Sequence, residues 1–114
     1  MQVKIKKYLY DILEASNSIF EYLEHKKDFS FYENNKLLRR AVEREFEIIG
    51  EALNRILKIE KSFPIKNAKR IISLRNLVIH AYDSVDNIII WGIISNDLPK
   101  LKDEVEKLLN EQLF

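Results

Sequence analysis

The 114-residue chain contains no cysteine, two glycines, two prolines and two histidines. Each shortage excludes something. Without cysteine there is no disulfide framework, no thiolate metal site and no cysteine nucleophile. So few glycines and prolines exclude collagen-like, linker-rich and turn-dense β architectures. A transition-metal site in a helical bundle needs Glu-x-x-His spacing on facing helices. Here His25 follows Glu21 by four residues and Glu24 by one, so no metal site is expected. Long apolar runs are also missing: Leu77–Ile79 and Ile88–Ile94, the latter interrupted by Gly92, fall far short of the ~20 residues of a membrane span. The first 30 residues carry charges every few positions and no targeting signal, which predicts a cytoplasmic protein with no membrane partner. Net charge is +1, from 19 Lys and Arg against 18 Asp and Glu, which argues against a protein that coats nucleic acid over its whole surface.

What the chain does contain is helical periodicity. Ile5, Leu9, Ile12, Ser16, Ile19 and Leu23 step by alternating fours and threes, one face of a helix expected to end near residues 25–28. Ser16 reads as a small packing residue, and His25 as a surface residue or a helper at the helix end. Residues 29–35 read as a connection in which Asn34 or Asn35 caps the next helix. The pattern resumes through Leu38, Val42, Phe46, Ile49, Leu53 and Ile56, predicting a second helix from Lys36 to about Glu60. Gly50 inside it costs about 1 kcal/mol against Ala and implies a packing reason.

Pro64 breaks the pattern, and Asn67 is a candidate cap for a third helix with Ile71, Leu74, Val78 and Ala81 as its stripe. Residues 83–86 form a second break. A fourth helix follows through Ile88, Trp91 and Ile94, with Trp91 expected in the core. Residues 96–99 either kink it or start a fifth helix with Asp97 as cap and Pro99 in its first turn. Leu101, Val105, Leu108 and Leu109 then give the last stripe. No strand-like alternation competes, so the fold class is all-α: one domain over residues 1–114, an antiparallel bundle of four to five helices.

Two regions carry chemistry. Glu43, Glu47 and Glu51 form an acidic row on the second helix, among Arg39, Arg40, Arg44 and Arg55; Glu43 and Glu47 read as a solvated, ion-paired face, and Glu51 stands as a candidate supporting polar group. The second region is Arg75-Asn-Leu-Val-Ile-His80-Ala-Tyr82, four polar side chains interrupting an aliphatic run. Asn76 and His80 share a helix face, whereas Arg75 and His80 are five residues and about 140° apart, so they converge only by reach, by unwinding or across a second subunit. The set suits metal-free RNA cleavage. His80 moves protons to and from the 2′-hydroxyl and the leaving oxygen, Arg75 binds the scissile phosphate, and Asn76 orients either. The RNA 2′-hydroxyl is the internal nucleophile.

These residues resemble the Arg-x4–6-His motif of the HEPN superfamily. The form Arg75-x4-His80-x-Tyr82, followed by Val85-Asp86, is similar to its HepT-like toxin branch. So are Asp11-Ile-Leu-Glu-Ala15, Ile48-Ile-Gly-Glu-Ala52 and the run from Trp91 to Leu101 through Asn96-Asp-Leu-Pro99. The resemblance implies an α-helical homodimer with two Arg/His motifs facing across a cleft, which would also bring Arg75 and His80 together. It implies a ribonuclease toxin acting without cofactor or metal, with Arg75 and His80 catalytic and Asn76 supporting. A nucleotidyltransferase antitoxin of the MntA type would silence it by transferring AMP to Tyr82. A different class of function, a non-catalytic helical partner that presents nucleotide or substrate to such a transferase, uses the same polar cleft without cutting. A purely structural dimeric bundle is a third.

The charge balance also divides unevenly. From Lys61 to Tyr82 there is no acid, while Lys61, Lys66, Lys69, Arg70 and Arg75 are basic. Lys66, Lys69 and Arg70 are therefore candidates for an RNA-binding patch able to steer a polyanion.

Overall fold

The computed structural model describes residues 2–73 and 87–111. Among these the chain is helical throughout, with no strand: α1 (Val3–Tyr22), α2 (Phe29–Glu33), α3 (Lys36–Ile59), the helical residues 69–73 as α4, α5 (Asn87–Gly92) and α6 (Leu98–Glu111). A π-helical turn, Ile93–Asp97, joins α5 to α6 without a break. The architecture is the all-α bundle expected.

The core follows the predicted stripes on the two long helices. On α1, Ile5, Leu9, Ile12, Ala15, Ser16 and Ile19 are buried; on α3, Leu38, Val42, Phe46, Ile49, Gly50, Ala52, Leu53 and Ile56. These two faces pack against each other, and α6 closes the core with Leu98, Leu101, Val105 and Leu109. Ser16 is tolerated there because its hydroxyl donates to the carbonyl of Ile12 at 2.7 Å, so no polar group is left unpaired.

Several boundaries differ from the sequence reading. Helix α1 stops at Tyr22, earlier than expected, in a Schellman-type turn: the Glu24 amide donates to Glu21 and the His25 amide to Phe20. Glu24 and His25 adopt φ of 55° and 57°, a left-handed pair without glycine, which is why periodicity alone placed the end too late. The segment read as a connection contains α2, whose N-cap Asp28 accepts from the Phe31 amide at 3.1 Å. Its one turn is too short for periodicity to register. Asn35 caps α3 by accepting from the Leu38 amide at 3.0 Å.

The fourth stripe is out of phase with the expectation. Ile90, Ile93 and Ile94 are buried, Trp91 is half-buried and Ile88 is 68% exposed. Ile90, Ile94, Leu98 and Leu101 step by four, four and three, so one ordinary helical stripe runs through α5 and into α6, turned away from the face of Ile88. The π turn is closed by the Leu98 amide donating to the Ile93 carbonyl, and the helix continues through Pro99, which has no amide to donate. Asp97 therefore sits inside a continuous helix, not at a cap.

Candidate functional site

Arg75, Asn76, His80 and Tyr82 lie outside the described residues, as do Leu74, Val78, Ala81 and the break at 83–86. The structure describes the scaffold on both sides of the motif, and that scaffold is held by groups that come from far along the chain.

Ahead of the motif, the carboxylate of Glu104 on α6 fastens the loop that opens α4. It accepts from the Lys66 amide at 2.7 Å, from the Asn67 amide at 3.2 Å and from the Asn67 side-chain nitrogen at 3.2 Å. An acidic group there also complements the positive end of the helix that follows. Asn67 was the expected cap; the first helical residue is instead 69, and the Asn67 amide group is turned to Glu104. Buried Phe63, Ala68 and Ile71 seat this stretch on the core.

One turn further, the Arg70 guanidinium lies 3.1 Å from Asp97 Oδ2 on the π turn. The acid-free run of the sequence is thus met by two carboxylates in space, Glu104 and Asp97. Neither was visible from local sequence, because each partner lies 27 or more residues away. Lys66, Lys69 and Arg70 are all exposed. Lys66 meets Glu104 through its backbone amide and Arg70 is paired with Asp97, so the three candidate patch residues stand in different electrostatic settings.

The acidic row on α3 is ion-paired: Glu43 with Arg40 at 3.6 Å, Glu47 with Arg44 at 3.1 Å and Glu51 with Arg55 at 2.8 Å. Burial raises the Glu43 pKa above the usual carboxylate range, against the opposing pull of Arg40 and Arg39. The hydrogen bond to Glu51 strengthens the proton affinity of Arg55. Glu51 lines an open groove of about 450 Å³ between α1 and α3, together with Tyr8, Asp11, Arg44 and Glu47. Among the described residues no three His, Cys, Asp or Glu side chains cluster as a metal site would require. No described helix is long and apolar enough to cross a membrane.

Beneath α3, Tyr32 is fully buried and its hydroxyl has no hydrogen-bond partner among the described residues. Desolvation raises its pKa further above that of a free phenol. It packs on Trp91, ring centres 5.5 Å apart, and Phe29 does the same at 5.8 Å.

The helices, the connection through a π turn and the intact Arg75-x4-His80-x-Tyr82 run define an all-α bundle of HEPN type. Residues 12–108 match the family model described as "Ribonuclease HepT-like", and the chain belongs to that family. It is 43% identical over 103 residues to "Putative RNase MJ1380" of Methanocaldococcus jannaschii, covering 90% of this chain and 94% of that protein. It is 36% identical over 107 residues to "Probable ribonuclease HepT" of Thermococcus cleftensis, covering 90% and 94%. A third relative, also from Methanocaldococcus jannaschii, is named "Gamma-glutamylcyclotransferase and putative RNase MJ0434"; at 34% identity the match takes 97% of this chain but 50% of that protein. No solved structure matches the chain.

Proposed function

We propose that this chain is a metal-independent endoribonuclease toxin whose catalytic groups are Arg75 and His80. The observation that carries this is membership of the HepT-like ribonuclease family across residues 12–108, a span that includes the unbroken Arg75-x4-His80-x-Tyr82 run. His80 takes the proton of the 2′-hydroxyl and returns one to the departing 5′-oxygen. The P–O bond to the 5′-oxygen breaks as the bond to the 2′-oxygen forms, leaving a cyclic phosphate. Arg75 neutralises the charge that grows on the phosphate, and Asn76 orients it. Glu51 supports the site from α3.

The family resemblance implies a homodimer, and on that ground the site is composite, with Arg75 and His80, whose spacing alone puts them about 140° apart on an ideal helix, meeting across a two-fold axis. The open apolar surface of Ile88 and Ile89, 68% and 46% exposed directly after the motif segment, supports a partner there. Tyr82 is the acceptor of AMP from a nucleotidyltransferase antitoxin, which blocks RNA entry by filling the cleft. The whole chain acts as one domain in the cytoplasm.

The test is cleavage of single-stranded RNA by purified protein in excess EDTA. His80→Ala and Arg75→Ala should each lower the rate at least about 100-fold, the size of a general acid–base or phosphate-clamp contribution. DNA of the same sequence should remain intact. If both variants cleave as the parent does, the assignment fails.

A further inference from the structure

A second candidate site lies where the end of α1 meets α5 and the π turn. A cavity of about 150 Å³ opens there. Its floor is aromatic and aliphatic, chiefly Phe20, Leu23 and Trp91; Ser95 of the π turn supplies a hydroxyl wall; its rim is the consecutive run His25, Lys26, Lys27. The three rim residues are exposed. Lys102 adds a further cation 5.5 Å from the centre of the Phe20 ring.

The geometry points to a subsite for one nucleotide of single-stranded RNA, its base seated against Trp91 and its phosphate on the His25-Lys26-Lys27 rim. The inference rests on the ribonuclease reading for the identity of the strand, but its parts are independent of the motif. At about 150 Å³ the cavity is below the ~300 Å³ of a typical small-molecule site, so it holds a single flat ring and leaves the charged remainder outside. The charged remainder of a nucleotide is anionic, and the rim is cationic.

Two acids flank that rim and keep their charges: Glu24 stands 3.9 Å from Lys26, and Asp28 caps α2 with its Oδ1 on the Phe31 amide at 3.1 Å, so among the described residues Lys27 is the rim cation that no carboxylate pairs. Base–aromatic stacking is indifferent to base identity, which fits a floor with one hydroxyl and few other polar groups. The Trp91 ring is already fixed from behind by Phe29 and Tyr32, so little ordering is needed on binding. The rim is held in place by the left-handed pair Glu24 and His25.

Trp91 is the sole tryptophan of the chain and lines this cavity, so tryptophan fluorescence comes from this one ring. The probe is a 2′-O-methyl oligoribonucleotide, which lacks the nucleophile for cleavage. It should quench Trp91 saturably, and Lys26→Glu/Lys27→Glu should weaken that quenching at least 10-fold with the circular dichroism spectrum unchanged. Ser95→Leu, which fills the cavity from its wall, should abolish the quench while binding through the rim persists. If the oligonucleotide binds without altering Trp91 fluorescence, the subsite is overturned. RNA cleavage by a protein whose Trp91 never responds would overturn the subsite and leave the ribonuclease reading standing. A quench without cleavage would do the reverse.

Discussion

Tyr32 buries a hydroxyl that no described residue bonds, in a position where a phenylalanine ring would fill the same space. An unmade buried hydrogen bond costs about 1–3 kcal/mol. Tyr32→Phe should therefore raise stability by about 1 kcal/mol in chemical denaturation, and a clear loss would mean that the hydroxyl has a partner. The turn after α1 stores strain of a different kind. Glu24 and His25 occupy the left-handed region that costs a side-chain-bearing residue roughly 1–2 kcal/mol. Glu24→Gly should stabilise by about 1 kcal/mol, measured by thermal melting, since the replaced side chain is exposed and pairs only weakly with Lys26. Glu104 works in the opposite direction. Glu104→Ala strips acceptors from two amides and one side chain and should destabilise by about 1–3 kcal/mol. The exchange protection of the Lys66 and Asn67 amides should fall with it, which a general loss of stability would not single out.

Among the elements, α1 and α3 are where sequence and structure agree best. Each is long, about 30 Å or more at 1.5 Å per residue, with one apolar stripe, so periodicity reports the buried face directly. Leu9, fully buried between them, tests the packing: Leu9→Ala should cost about 2–5 kcal/mol. Elements shorter than two turns escaped the same reasoning. Helix α2 is recognisable only by its Asp28 cap, and the π turn leaves no mark on the apolar spacing. Glu43 on α3 adds a pH dependence. Its folded pKa is raised by burial, so the folded state holds the proton more tightly than the unfolded chain. Stability from this group is therefore greatest below the ordinary carboxylate pKa of 4.5 and falls as pH rises through that value and past the raised one. Glu43→Gln should flatten the stability profile across mildly acidic pH, and a profile identical to the parent's would show that the Arg40 pairing offsets burial completely.

At the scale of the whole molecule, the net charge of +1 conceals a division along the chain that folding then partly undoes. The basic run before the motif is crossed by Glu104 and Asp97, so any field it presents to RNA is concentrated on the exposed Lys66 and Lys69. In the Arg70–Asp97 pair the arginine is exposed but the Asp97 carboxylate is largely buried, so the contact meets a charge that folding has partly desolvated and orients the lead into the motif. A composite site also predicts a dimer. Sedimentation should give the mass of two chains, and Ile88→Asp should yield monomers that retain helicity but lose cleavage, because an apolar face on one copy has to be matched by the other. A dimer unaffected by Ile88→Asp would place the interface elsewhere.

By itself the sequence determined the all-α class, the faces of α1, α3 and α6, and the chemical character of the Arg75–Tyr82 run, because those depend on residue type and on spacing within a few turns. It also excluded thiol chemistry outright, since no cysteine is present. Only the tertiary structure decided that Glu104 holds the loop before the motif, that Asp97 meets Arg70 across 27 residues, that a π turn carries α5 into α6 without a break, and that two lysines and the one tryptophan share one cavity. The physical reason is common to all four. Each depends on groups brought together by burying the apolar faces of separate helices, and no periodicity along one chain segment encodes which distant side chain will arrive there.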